Sequence, residues 1–248
     1  MYKAVIRPLL FLLSPETIHH LLVSGLRIIF RIPGASALIR RIYGRNDPAL
    51  KTDFLGMRLT SPVGLAAGFD KNGEIYNEFS DFGFSFIEVG TVTPRPQPGN
   101  PRPRSFRIPA DRGLINRMGF NNKGAEALAI RLQRKRKKGL IIGGNIGKNT
   151  LTPNHEAVED YAYCFQVLYP YVDYFVVNVS CPNITNMHEL QDQAALEAIL
   201  ERIAAMRREM DSYVPVFLKI SPDLNHAQID ASIALVQEKG LDGMVATN

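Results

Sequence analysis

An apolar, β-branched run, Val176 and Val177, gives way within a few residues to Asn178, Ser180, Cys181, Pro182 and Asn183. A buried strand ends this way when its tip carries chemistry, because the apolar residues pack and the polar ones fall beyond the sheet. Pro182 has no N–H for a ladder, so the strand is over by that position. Cys181 then stands on the turn between asparagines whose amides suit a planar polar ligand. Taken alone, the segment reads as readily as a buried cysteine beside turn-forming asparagines.

Three further segments could do chemistry. Ala66, Ala67, Gly68, Phe69 and Asp70 lead into Lys71, placing small residues where a flat ligand can approach the backbone and then a cation. Gly90 and Thr91 open a Pro-rich loop that runs to Arg107. Asn116, Arg117, Met118, Gly119, Phe120, Asn121 and Asn122 follow it. Glycines also make turns, and lysines are usually solvated, so each segment is moderate by itself.

What positions them is an alternation of elements from about residue 46 onward. Short apolar runs at 63–67, 85–89, 140–145, 174–179, 216–220 and 243–247 read as buried strands. Helical patterns at 74–82, 124–136, 156–169, 194–208 and 227–239 separate most of them. Such alternation predicts βαβ units and a parallel sheet. Each strand ends in a polar residue: Lys71, Thr91, Asn145, Asn178, Lys219 and Thr247. In a (β/α)8 TIM barrel such ends converge on one mouth, whereas an open dinucleotide-binding sheet would need a G-x-G-x-x-G after a strand, and none occurs. Six of eight units are expected, with roughly 80–100 residues of a full barrel beyond Asn248.

The 248 residues are 46% hydrophobic and 21% charged, which fits a globular protein, and two cysteines provide neither a disulfide framework nor a metal cluster. The net charge is +5, yet residues 1–45 hold seven Lys or Arg against the single acid Glu16, making them +6 and the remainder −1. Ser14 is the expected N-cap of a helix over 15–30, with Pro15 in its first turn, and a second helix follows at 35–43. A basic amphipathic hairpin on a near-neutral body points to an anionic membrane surface rather than nucleic acid. Arg7 and Pro8 interrupt the opening apolar run, which argues against an export signal. The division expected is 1–45, a membrane segment, and 46–248, the barrel. The basic run 134–138 before Gly139 reads as a solvated helix end.

The four segments, in this order and at strand ends, resemble the dihydroorotate dehydrogenase family, in particular its membrane-associated, quinone-dependent class. The resemblance runs the length of the chain and includes the N-terminal hairpin, which the soluble class lacks. It implies oxidation of dihydroorotate to orotate in pyrimidine biosynthesis, with FMN as cofactor, a membrane quinone as acceptor and a peripheral position on the cytoplasmic face of the cell membrane. FMN would contact Ala67, Gly68, Phe69, Asp70, Lys71, Thr91, Asn145, Asn178, Lys219 and Thr247. Dihydroorotate would be held by Lys71, by Asn116, Arg117, Met118, Gly119 and Phe120, and by Asn178, Asn183 and Asn248. Cys181 takes the family's catalytic-base position, with Lys71 beside it favouring the thiolate. Quinone-dependent members usually carry serine there and soluble ones cysteine, so base and body come from different classes. Ile184 also replaces the usual threonine. His19 and Arg107 match positions near the quinone head group, although His19 reads equally as a surface-helix histidine.

Two other readings compete. A barrel lyase would use Lys219 as a Schiff-base amine. A dihydroorotate dehydrogenase with a different electron acceptor would keep the flavin site and lose the quinone.

Overall fold

In the computed structural model, which describes residues 2–44, 47–179 and 193–247, the chain opens with helix. A π-helical turn, Tyr2–Ile6, runs into α1 (Arg7–Phe11), and α2 (Pro15–Ile29) and α3 (Ala35–Tyr43) follow. The segment before Ser14 is thus helical too, where the sequence pattern marked only an apolar stretch. Ser14 caps α2 as its position predicts, its hydroxyl accepting the Thr17 N–H at 3.2 Å.

A short antiparallel hairpin comes next, β1 (Thr52–Phe54) with β2 (Met57–Leu59). The chain then enters the main sheet at β3 (Gly64–Leu65), passes through α4 (Tyr76–Phe79) and returns as β4 (Phe86–Val92). A second antiparallel pair, β5 (Ser105–Ile108) and β6 (Gly113–Asn116), stands within the expected Pro-rich loop and its continuation. The alternation resumes with α5 (Ala125–Leu132), β7 (Ile141–Ile146), α6 (Ala157–Leu168) and β8 (Tyr174–Asn178). It closes with α7 (Gln193–Arg208), β9 (Val216–Lys219), α8 (His226–Glu238) and β10 (Gly243–Val245).

All six expected strands are present and pair in parallel in the order β10-β9-β8-β7-β4-β3, a curled part of a TIM barrel. The two faces of this sheet differ. Ile87, Val89, Ile142, Phe175, Val177, Val216 and Leu218 face the helices and join one large core with Leu128, Phe165, Leu200 and Leu235. Alternate residues, Phe86, Ile141, Tyr174, Val176, Phe217 and Val245, form a second, inner cluster with Met57. Phe54 stacks on Phe217 at 6.0 Å between centroids, so the β1–β2 hairpin plugs this inner cluster. Burying one such Phe or Leu side chain contributes about 2 kcal/mol.

The helices α4 and α5 are shorter than their patterns. α4 gives way to a 3-10 turn, Ser80–Phe82, and α5 stops at Leu132. The basic run 134–138 follows the end of α5, with Arg134, Lys135 and Lys138 exposed, and three of its cations are paired. Arg134 pairs with Glu78 at 2.7 Å, Arg136 with Asp173 at 2.5 Å, and Lys137 with buried Asp81.

The N-terminal helices sit on this body through one narrow stripe and three polar bolts. Val23 is buried and Leu26 packs beside it. Glu16, the lone acid of that region, meets Arg104, whose Nη2 lies 2.6 Å from it while its Nη1 donates to the carbonyls of Pro98 and Asn100 at 2.6 and 2.9 Å. Arg27 pairs with Glu74 at 3.4 Å. Asp81 accepts from Ser36 at 2.6 Å and from Arg40 at 2.8 Å. Among the described residues no single helix is long and apolar enough to cross a membrane.

Candidate active site

The polar strand ends meet. Thr91 at the end of β4 donates its hydroxyl to Asn145 Oδ1 at 2.5 Å, and Asn178 Nδ2 donates to Thr91 Oγ1 at 2.8 Å and to Asn145 Oδ1 at 3.3 Å. The three are buried, and the Asn178 carbonyl is held by the Tyr161 hydroxyl at 2.8 Å. Lys219 stands opposite Asn178 in register on the adjoining strand. Four residues expected at a cofactor thus form one layer across β4, β7, β8 and β9. In a parallel sheet this convergence occurs only at the C-terminal ends.

Beneath the layer lies a residue absent from the sequence reading. Glu88 is buried on β4, and Asn145 Nδ2 donates to its Oε1 at 2.6 Å. Burial pushes its carboxyl up from the ordinary range, against the Asn145 hydrogen bond and the charge of Lys219. The alternation of β4 carried the only signal, since Glu88 shares the inner face with Phe86 and breaks the apolar run 86–89.

The loop after β3 comes to the same mouth. Gly68 has φ +101° and donates to the Gly90 carbonyl at 2.8 Å, and a Cβ on it would meet nothing within 4 Å. Gly90 is the opposite case: a Cβ there would come within 2.2 Å of the Asn145 carbonyl, so β4 and β7 approach as closely as they do only because it is glycine. Ala67 is half-buried beside them. The Asp70 side chain braces the backbone, its two oxygens accepting the N–H groups of Glu74 at 2.7 Å and Ile75 at 2.8 Å. Its carboxyl is buried and shifted upward by that burial despite both bonds, so it orders the approach to α4.

Lys71 donates to Asn121 Oδ1 at 2.6 Å, which joins the first segment to the loop that follows β6. In that loop Phe120 is buried against Gly147 beside Thr91, while Gly119 and Phe120 take φ +70° and +51°. Gln97 donates to the Gly119 carbonyl at 3.1 Å, and its Oε1 receives Asn149 Nδ2 at 2.9 Å, so the Pro-rich loop holds this turn in place. Asn116 and Arg117 are exposed. Asn116 Oδ1 accepts the Met118 N–H at 3.4 Å, and Arg117 turns away to the Pro103 carbonyl at 3.2 Å. Met118 is half-buried, and its carbonyl accepts the Asn100 N–H at 3.1 Å. Thr247 is exposed just past β10. Cys181, Asn183 and Asn248 lie outside the described residues.

The two N-terminal candidates reach the body. The His19 ring meets Phe69 edge-on at 4.8 Å, and desolvation, with His20 and Lys71 adding repulsion, holds its pKa below the usual value. Arg107 donates to the Leu13 carbonyl at 2.7 Å and lies 4.4 Å from the centroid of the Phe11 ring. α1 and α2 are thereby fastened beside the mouth.

A parallel barrel segment whose strand ends carry amides, a hydroxyl and a lysine around an open glycine turn defines an α/β-barrel site for a flat, polar ligand. The sequence family described as dihydroorotate dehydrogenase matches residues 49–248. Dihydroorotate dehydrogenase (quinone) of Christiangramia forsetii is 50% identical over all of this chain, which covers 72% of that relative. The protein of that name from a Roseiflexus species is 46% identical over 99% of this chain and 68% of its own length. A crystal structure of the Eimeria tenella dihydroorotate dehydrogenase in complex with ferulenol superposes with a TM-score of 0.84 at 33% identity, over 95% of this chain and 66% of that one. The ligand-free form of the same enzyme gives a TM-score of 0.77 at 34% identity, over 86% of this chain and 66% of that one. The chain belongs to the dihydroorotate dehydrogenase family, among relatives named for a quinone acceptor, and spans about two thirds of the length of the solved structures.

Proposed function

We propose that this chain supplies the FMN- and dihydroorotate-binding face of a peripheral membrane enzyme that oxidises dihydroorotate to orotate and passes the electrons to quinone, in pyrimidine biosynthesis. The observation that carries this reading is the fused strand-end layer of Thr91, Asn145 and Asn178 with Lys219 beside it. A flavin presents a planar edge of alternating donors and acceptors, and such a layer answers it with amides, a hydroxyl and a cation. The open space over Gly68 leaves room for a ring to approach the backbone. FMN, when bound, supplies the acceptor for the hydride that leaves dihydroorotate.

The chain's own residues do the rest. Lys71, held by Asn121, offers a fixed cation to the substrate carboxylate and favours anionic charge nearby. Asn178 and Asn183 orient the ring amides, and the turn at Gly119 and Phe120 closes over them. Cys181 removes the proton from the carbon beside the carbonyl, as thiolate, with Lys71 lowering its pKa. The lyase alternative loses its support, since the relatives are oxidoreductases and Lys219 sits within the charge of Glu88.

The N-terminal helices bring quinone to the site. Leu9, Leu21, Leu22, Ile28 and Leu38 are exposed on the N-terminal helices, with Leu12 just past α1, in a segment that holds seven Lys or Arg against one acid. That combination suits the surface of an anionic bilayer, at its cytoplasmic face, and not a nucleic acid. His19 against Phe69, and Arg107 against Phe11, then flank the route inward.

An acceptor panel on the flavin-loaded protein tests this reading. Quinone is expected to be reduced fastest, and removal of residues 1–45 is expected to abolish that reduction while dihydroorotate still reduces the flavin. Faster turnover with fumarate or NAD would refute the acceptor, and a protein that cannot be reconstituted with FMN would refute the whole. Cys181→Ser is expected to keep flavin binding and shift the pH profile of flavin reduction; an unshifted profile removes Cys181 as the base.

A further inference from the structure

Glu88 precedes Thr91 by three residues on β4 and so lies deeper in the barrel than the strand-end layer. Among the described residues Asp70, Asp81 and Glu88 are the buried acids, and of these only Glu88 is on a strand. The other two have local duties, at α4 and at the seat of α3. Glu88 faces Asn145 from β7, Tyr174 from β8 and Lys219 from β9. Lys219, at the end of β9, adds positive charge that favours the ionised form of Glu88.

A carboxylate can only accept hydrogen bonds. With Glu88 ionised, Asn145 must therefore turn its NH2 group downward, where Nδ2 lies 2.6 Å from Glu88 Oε1. Its carbonyl oxygen then points toward the mouth and takes the Thr91 proton at 2.5 Å. Thr91, its proton committed, is left with lone pairs, and Asn178 Nδ2 donates to them at 2.8 Å. Each bond inherits its direction from the one below. The sequence of donors runs Asn178 to Thr91 to Asn145, with the Asn145 amide passing the constraint down to Glu88. A glutamine at 88 has both a donor and an acceptor, so it would satisfy Asn145 either way round and transmit no direction.

We propose that Glu88 is a positioning residue that sets the direction of hydrogen bonding through Asn145, Thr91 and Asn178, and thereby which donors and acceptors the barrel mouth presents to a planar ligand. The second clause rests on the flavin reading above; the first stands without it.

Two measurements separate them. In the ligand-free protein, the side-chain amide resonances of Asn145 and Asn178 are assigned through Asn145→Asp and Asn178→Asp and compared in wild type, Glu88→Gln and Glu88→Asp. Glu88→Gln is expected to remove the downfield shift that a short bond to a carboxylate gives the Asn145 NH2, and Glu88→Asp to retain part of it. In the same set, FMN affinity and the flavin midpoint potential are measured. Glu88→Gln is expected to bind FMN about tenfold more weakly, the worth of roughly one hydrogen bond, with a displaced potential and an unchanged melting temperature. Unaltered amide resonances in Glu88→Gln overturn the proposal. Altered resonances with unaltered flavin affinity and potential overturn its second clause. A wild-type protein that takes up no FMN refutes the parent reading instead, and the resonances still decide the first clause.

Discussion

The N-terminal helices and the barrel invert one another. In the barrel, leucines and valines are buried under helices, and among its buried polar residues Glu88, Asn145, Thr91 and Asn178 are joined by hydrogen bonds. In the N-terminal region most leucines face outward, with Leu12 80% exposed, and the polar residues Glu16, Ser36 and Arg40 do much of the docking. Water drives the first arrangement, because apolar area leaves it. The second makes sense only if something other than water covers the exposed face. A hydrophobic residue's meaning therefore depends on which side of the molecule it is given, and a polar residue's on whether its partners are already in place.

The sharpest way to break the comparison is to cut each region where it is supposed to be strong. Phe175 is fully buried and packs on Phe165 at 4.4 Å, so Phe175→Ala should cost about 3–5 kcal/mol in chemical denaturation. Asp81→Ala should have a smaller and local effect. Burial pushes the Asp81 carboxyl up, but hydrogen bonds from Lys137, Ser36 and Arg40 outweigh it and hold its pKa below the usual value. Losing it leaves those three groups without their acceptor and should weaken the seat of α3 by about 2–3 kcal/mol, read by hydrogen exchange over 35–43, with the barrel amides unchanged.

The Glu16 bolt should respond to pH. Its hydrogen bond from Arg104 and the nearby charge bring the carboxyl from 4.5 down to about 2. A depressed carboxylate stabilises the folded state above its unfolded pKa, so docking of α2 should be intact above about pH 5. It should be lost progressively as pH falls toward 2, on the order of 2 kcal/mol in all. Arg104→Gln should flatten that dependence in exchange measurements on α2; a profile unaltered by the substitution would mean that Glu16 is not the group responsible. The smallest effect on folding belongs to the outward leucines. Leu12→Ser and Leu22→Ser together should change stability by no more than about 0.5 kcal/mol. They should nevertheless reduce co-sedimentation with anionic vesicles, and if binding is undiminished the exposed face has another purpose.

Much of this was legible in the order of residues. The six strands announced themselves as β-branched runs, and Ser14 and Pro15 marked the start of α2, because period and capping are local properties. Thr91, Asn145, Asn178 and Lys219 could be named as strand ends for the same reason. The antiparallel pair β5–β6 was hidden in a stretch that reads as Pro-rich loop, since its strands are stabilised by pairing with each other rather than by pattern. Asp70 was placed correctly in the loop after β3, yet its carboxylate caps backbone N–H groups, a choice of rotamer that sequence does not express.

Residue order alone settled where strands and helices form, that the N-terminal 45 residues are basic and apolar together, and that polar groups stand at the strand tips. Those are consequences of backbone geometry and short-range side-chain chemistry. The tertiary structure decided which of those groups act together. Glu88, 57 residues from Asn145, becomes its hydrogen-bond partner only once β4 and β7 lie side by side. Arg104 becomes the anchor of Glu16 only across 88 residues of chain. Such pairings depend on the closure of long loops and on burial that strengthens each bond, and neither is written in any one stretch of sequence.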